Sequence, residues 1–423
     1  MSKPHFDLVI KNAQIADPLS AHFQQKNDLG IAEGRIAAIG QALEGREHVD
    51  AQGAWLSPGW VDMYAVCPDP GEEWTEDLAH LSIAAAHGGF TDVCVLGGKQ
   101  PQSDQTSVVR YIRDFKTGPV RLHPLGSSTH GLAGKDLDAL FDMAQNGAVA
   151  FTNGNTPLQD YGMLMRLLQY AAQRNLLVYQ FCLDNGLAGK ASVHEGPNAT
   201  LLGMKGIPSI AEVIAVAAYI RIAAYLNVPM HLSRISCAES VALIREARNN
   251  GLAITADVAA LNLLLDDSLL ESFDTGLKVM PPLRAASDRQ ALIEGILDGS
   301  IQAVVSNHQP GNQEQKLTEW DYAAYGANTI QTVAACLGGS GKLKPEHWTQ
   351  VMAHGPREIL RMAPLRIETG MPADLTLFDP DKNWIPTEAE NKSKSLNNPL
   401  FSSNCTGKVL ITVKQGIITA RNS

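Results

Sequence analysis

From Pro58 to about residue 364 the chain alternates short apolar runs with longer amphipathic stretches, and this alternation limits the folds open to it more than any other feature. Thr91 to Leu96 (TDVCVL) reads as a buried strand after a helical stretch near Leu78 to His87. Ala148 to Thr152 precedes a helical pattern over Asp160 to Arg174, and Leu177 to Phe181 follows as a strand. A helix over Ser209 to Leu226 leads to a strand over Pro229 to Ile235. A helix over Ala238 to Asn249 leads to one over Ala253 to Val258, and a helix near Leu292 to Leu297 leads to one over Ala303 to Ser306. Repeated strand–helix units demand parallel strands joined by crossovers, and a series of this length favours a closed α/β barrel of the (β/α)8, TIM type. A doubly wound open sheet is the alternative. It is weakened because no GxGxxG follows the early strands.

The two ends have a different texture. Phe6 to Ile10 is strand-like, Lys11-Asn12 looks like a turn, and Gln14 to Ala16 continues beyond it. Asn27 to Ala32 and Arg35 to Gly40 flank Glu33-Gly34, a two-residue hairpin signal. Ala373 to Phe378, Val409 to Val413 and Gly416 to Thr419 repeat the pattern at the far end. One small β domain, of sandwich type and built from residues 1–57 and 365–423, is therefore expected beside a barrel over 58–364. In a barrel of this kind the chemistry sits at the carboxyl ends of the strands.

The stretch Pro58-Gly59-Trp60-Val61-Asp62-Met63 is similar to the amidohydrolase entry motif PGxIDxHxH. Ala84 to Thr91 resembles AAAxGGFT, Glu195-Gly196 and Gly203 to Pro208 resemble EG and GxxGxP, and Lys278 to Arg284 resembles KVNPPLR. Asp288-Arg289, Gly299 and Ile301 continue that block, and Gly370 to Asp374 with Phe378-Asp379-Pro380 resembles GxxADLxxFDP. In this order the segments resemble the dihydroorotase branch of the amidohydrolase superfamily across nearly the whole chain. The resemblance implies a barrel built for metal-dependent cyclic amide chemistry, in which cations activate a water and a carboxylate moves the proton.

The residues at the positions implied to carry that chemistry are of the wrong kinds. The histidine pair of HxHLR becomes Tyr64 and Val66, and its arginine becomes Pro68. The bridging carboxylate of FSDDG becomes Asn153. The ligand in QHxED becomes Phe181, the second histidine of HxxHxS becomes Arg234, and the aspartate of TDHAPH becomes Asn307. On the substrate side, the asparagine of KVNPPLR is Met280, MPNTNP reads Leu96 to Pro101, and TAEVTPHH reads Thr255 to Asn262. Divalent ions of this class want carboxylate or imidazole donors, which none of the six ligand positions supplies. Arg234 adds repulsion: unit charges ~4 Å apart interact by roughly 4 kcal/mol at an effective dielectric near 20, and a divalent ion doubles it. No metal and no other cofactor is expected. Arg234 is read either as a stand-in for the lost cations or as a solvent-facing or salt-bridged residue.

The expected function is that of a non-catalytic homologue. The resemblance further implies a partner, aspartate carbamoyltransferase catalytic chains, with which non-catalytic dihydroorotase-like proteins of some bacteria assemble, and a hetero- or homo-oligomer. The alternatives are a metal-independent cyclic amidohydrolase recruiting His308, Arg234 and Tyr64, or a sensor of a pyrimidine intermediate. His231 and His308 are read as hydrogen-bonded structural residues, His130 as a loop residue without an obvious partner, Cys67 as packing, and Glu195-Gly196, Pro281-Pro282 and Arg284 as backbone and packing residues. The Gln/Asn-rich segment 310–320 is expected to be mobile. A net charge of -10 with no basic block argues against nucleic acid. Six scattered cysteines without a CxxC pair fit a reducing cytoplasm. The polar opening residues lack a signal-peptide core, and no apolar run reads as a bilayer span.

Overall fold

The computed structural model describes residues 6–422, so most of the polar opening segment lies outside the described residues. The chain begins with Phe6–Ile15 (β1), Lys26–Ala32 (β2), Arg35–Gly40 (β3), Gly45–Asp50 (β4) and Trp55–Pro58 (β5). Glu33 and Gly34 between β2 and β3 both have positive φ, 51° and 73°, as a twisted two-residue hairpin turn requires. Lys11-Asn12 does not end a strand, contrary to the sequence expectation. β1 runs through it, and the register against β2 shifts between Ile10 and Ala13. Asn12 takes φ 59° there, so the left-handed preference of asparagine was spent on a bulge rather than a turn.

The barrel strands follow: Trp60–Cys67 (β6), Phe90–Gly97 (β7), Arg121–Ser127 (β8), Ala150–Thr152 (β9) and Tyr179–Phe181 (β10). After a small outlying parallel pair, Val193–His194 (β11) with Gly206–Ile207 (β12), come Met230–Ser233 (β13), Ile254–Ala259 (β14) and Ala303–Val305 (β15). β6-β7-β8-β9 and β10-β13-β14-β15 are two runs of parallel neighbours. Parallel bridges from Phe151 to Val178 and from Ala65 to His308 join the runs into a closed ring of eight. Met63, Cys94, Leu125, Ala150, Tyr179, Ala303 and Val305 pack together as one apolar cluster of the barrel strands.

Leu375–Trp384 (β16), Cys405–Lys414 (β17) and Ile417–Arg421 (β18) then return to the first strands. β16 pairs with β5, and the order β18-β17-β16-β5-β1-β2-β3, with β4 also on β1, makes one branched eight-stranded sheet from both ends of the chain. Leu8, Ile10, Leu29, Leu56, Leu375 and Val413 are among its own core. Its seam with the barrel is held by Trp348 stacked on Phe378 with ring centroids 5.0 Å apart, and Trp60 packs against both.

A buried charge cluster reinforces the seam. Asp92 on β7 meets His123 at 2.9 Å, Lys414 at 3.0 Å and Arg357 at 3.5 Å, and Lys414 also reaches Asp374 at 2.9 Å. Burial alone would raise the Asp92 carboxyl. The His123 hydrogen bond and the charges of Lys414, His123 and Arg357 outweigh it and hold the group well below the usual carboxylate range. A carboxylate depressed in the folded state contributes stability above its unfolded value and loses it as pH falls below about 4. Asp92→Ala, which leaves Arg357 without its carboxylate, His123 without its acceptor and Lys414 with Asp374 alone, is expected to cost about 3–5 kcal/mol in a denaturant titration at pH 7 and to flatten the acid limb of stability against pH. An unchanged acid limb would show that the cluster does not titrate as described.

Two further expectations need correction. Segment 310–320 is folded: Gln313–Lys316 is a short helix with a reciprocal cap between Asn312 and Gln315. The buried Lys316 ammonium donates to the carbonyls of Thr275 at 3.0 Å, Ala324 at 2.8 Å and Lys278 at 3.3 Å. Composition had pointed to mobility because these carbonyls lie outside the segment. The helix Ser209–Leu226 is also long and apolar enough to cross a membrane by length and composition. Here it packs among the barrel helices, with Ala211, Val213, Ala215, Val216, Tyr219, Ile220 and Ala223 buried.

Candidate functional site

β6, β10, β13 and β15 bring Tyr64, Phe181, Arg234 and Asn307 to one place. Arg234 follows β13 directly and takes φ 58°, and Asn307, two residues beyond β15, takes φ 51°. The left-handed region is costly for arginine and tolerated by asparagine, so surrounding contacts must hold Arg234 there. Its guanidinium carbon stands 4.0 Å from the centroid of the Tyr64 ring and 4.9 Å from that of Phe181. Nη2 donates to the Gly154 carbonyl at 2.7 Å, and Nη1 donates to Asn155 Oδ1 and, at 3.3 Å, to Asn307 Oδ1. Arg234 is 1% exposed, which excludes the solvent-facing reading. Among the described residues no carboxylate pairs with its guanidinium, which excludes the salt-bridged one. The buried charge is held by neutral oxygens and two aromatic faces.

Four of the six substituted positions, Tyr64, Phe181, Arg234 and Asn307, thus meet around one cation. Asn153 is adjacent in sequence to the Gly154 that accepts from it. The Asn153 side chain turns to Thr129, whose hydroxyl donates to Oδ1 at 2.9 Å, and its Nδ2 is buried without a partner. Val66 is half-buried and packs against the barrel-strand cluster. Pro68 is buried and offers its carbonyl to the Glu72 amide at 3.0 Å. Met280 accepts from Asn307 Nδ2 at 3.1 Å through its carbonyl and packs against the Phe181 cluster.

Beside this cluster lies a buried polar layer in which His231 and His308, expected as structural residues, stand with Asp257 and Asp62. Asp257 on β14 accepts from the Arg234 amide at 2.6 Å, from His231 Nε2 at 2.8 Å and from Ser233 at 3.2 Å. The other ring nitrogen of His231 meets Thr255 Oγ1 at 2.8 Å, so this fully buried histidine is a structural one. Asp62 on β6 accepts from the amides of Ser306 at 3.0 Å and Tyr64 at 3.2 Å and from the Ser306 hydroxyl. Burial pushes its carboxyl up to about 7, against the pull of those hydrogen bonds. His308 is fully buried; it accepts from the Thr329 amide at 3.3 Å, and its Nε2 stays 3.7 Å from Glu76. His130 does have a partner, Asp104 at 3.3 Å. Burial lifts the Cys67 thiol well above its ordinary range, the opposite of an activated nucleophile. Arg284 ties Ser236, Ile207 and Glu212 together in the interior, and so does packing work.

A phenol, an isopropyl group, two carboxamides, a phenyl ring and a guanidinium do not fit a divalent metal centre. None is an anionic or imidazole donor, and the guanidinium is a fixed positive charge in the middle of the set.

A closed eight-stranded barrel bearing a sheet made from both chain ends, with its polar cluster at the strand carboxyl ends, is an amidohydrolase-type architecture. L-hydantoinase (dihydropyrimidinase) from Arthrobacter aurescens superposes with a TM-score of 0.84 at 20% identity, over 98% of this chain and 96% of that one. Dihydropyrimidinase from Brevibacillus agri does so at 0.82 and 21%, over 98% and 95%. At the sequence level a dihydro-orotase-like family model matches residues 53–240. The dihydroorotase of Pelotomaculum thermopropionicum is 35% identical over 399 residues, 93% of either chain, and that of Syntrophus aciditrophicus 32% over 97% of this chain and 98% of its own. The chain belongs to the dihydroorotase family.

Proposed function

We propose that this chain is a catalytically inactive member of the dihydroorotase family, acting in the cytoplasm as a structural and assembly subunit for aspartate carbamoyltransferase catalytic chains in pyrimidine synthesis. The observation that carries the inactive reading is the buried Arg234, whose guanidinium packs against Tyr64 and Phe181 where the family resemblance places metal ligands. A site whose volume and charge are already taken up by a fixed cation offers no place for a metal-bound water. A metal-free amidohydrolase recruiting His308, Arg234 and Tyr64 is disfavoured by their burial, since at 0%, 1% and 1% exposure none has an open face to a substrate. The assembly role is supported by what has been kept: the closed barrel and the two-ended sheet persist while the chemical side chains have changed, as a scaffold under selection for docking permits. Co-expression of the two proteins followed by affinity capture and native mass measurement tests it. The expected result is a complex of defined stoichiometry, with lower transferase activity or thermal stability when this chain is withheld. A transferase that is fully active and assembled alone, and does not co-purify, would refute the assembly role.

A further inference from the structure

We propose that the seam between the terminal sheet and the barrel carries a second site, one that takes a small phosphate-class oxyanion. A cavity of about 150 Å³ opens there, lined by the cations Lys392, Lys408 and Arg421 and by the neutral donor-acceptor His87, against one carboxylate, Glu390. The chain as a whole carries a net charge of -10, so this concentration of cations runs against its composition. Lys408, on β17, is only 7% exposed, and its ammonium stands 4.7 Å above the ring of Trp384. Arg421, on β18, is engaged by Glu47. Among the described residues no carboxylate pairs with the Lys392 ammonium. His87 is oriented by Asn422, whose Oδ1 is 2.6 Å from the ring Nδ1 and whose amide nitrogen holds the His87 carbonyl at 2.9 Å.

The groups feel one another. Burial lowers the His87 imidazole, its Asn422 contact opposes this, and the Lys392 charge lowers it further. Burial likewise lowers Lys408, with Glu390 opposing and Lys382 adding to the effect. Cations gathered in a partly dry cleft repel one another, and a multiply charged anion relieves that repulsion while accepting from several donors at once. The cavity is small beside the roughly 300–1,000 Å³ of sites for whole drug-sized ligands, so it suits a phosphoryl head rather than a large molecule. No residue of the Arg234 cluster lines it, so this inference stands apart from the reading of the barrel.

Thermal unfolding and calorimetric titration of the full chain with inorganic phosphate, and separately with glycerol 3-phosphate, at ionic strength matched with sodium chloride, test the proposal. Phosphate is expected to raise the midpoint where matched chloride does not, with millimolar or tighter affinity. Lys392→Gln is expected to weaken binding about fivefold or more, Lys392→Arg to retain it, and Lys135→Gln, on the barrel surface, to leave it unchanged. Glycerol 3-phosphate binding as well as phosphate identifies a phosphate ester as an admissible source; phosphate alone identifies the free ion. A chloride effect equal to that of phosphate, or equal affinity in the wild type and Lys392→Gln, would overturn the proposal. Should Lys392→Gln lower the unliganded midpoint, the charge-keeping Lys392→Arg decides: loss of binding there with an intact midpoint also counts against it.

Discussion

Arg234→Ala is expected to lower the unfolding free energy by about 2–5 kcal/mol, from the cavity it leaves and the neutral acceptors it strands. The guanidinium packs against the Tyr64 and Phe181 rings, so its removal opens a cavity beside both. The acceptors it satisfies, the Gly154 carbonyl and the side-chain oxygens of Asn155 and Asn307, lose their donor in the interior. Arg234→Lys should recover only part of the loss, because a compact ammonium cannot reach these spread acceptors at once as the forked guanidinium does. A solvent-facing arginine would behave differently: its truncation would be close to neutral. An alanine variant within about 0.5 kcal/mol of the wild type, in the range of ordinary surface changes, would remove Arg234 from the centre of this account.

The second large effect concerns rebuilding the site. Tyr64→His together with Val66→His restores the two histidines of the entry motif, yet the double variant is expected to bind no zinc stoichiometrically and to turn over no dihydroorotate. Asn153, Phe181 and Asn307 still supply no charge or imidazole, and Arg234 still places a positive charge against any incoming cation. Since enzymes of ordinary proficiency exceed the uncatalysed rate by 10⁶-fold or more, about that whole factor should remain missing. Turnover in the double variant would mean that the other four positions matter far less than coordination chemistry requires.

The barrel was legible because its signal is periodic and local. The helices Ser209–Leu226 and Ala238–Asn249 fall where the pattern put them, and strand Phe90–Gly97 differs by a residue at either end. The closing bridges were not, since Phe151 to Val178 and Ala65 to His308 depend on the curvature of the whole ring. Lys11-Asn12 shows why a local preference can mislead: left-handed asparagine serves a bulge as well as a turn. At the site, the chemical identities could be read directly, but not the fate of Arg234. Its acceptors lie about 80 residues upstream at Gly154 and Asn155, and only the fold brings them to it. The available signal was a glycine between two asparagines after a strand, a composition suited to the left-handed turn seen at Gly154, φ 62°. Asp257 could have been found as the one acidic residue in the otherwise neutral strand Ile254–Ala259.

The most direct test of the central claim is metal content measured alongside turnover on the same purified wild-type protein, grown and assayed with added zinc. The account predicts well under one equivalent of divalent metal and no interconversion of dihydroorotate and carbamoyl-aspartate above background. One or more equivalents of zinc retained through dialysis, with ring opening or closure lost on chelation, would contradict it.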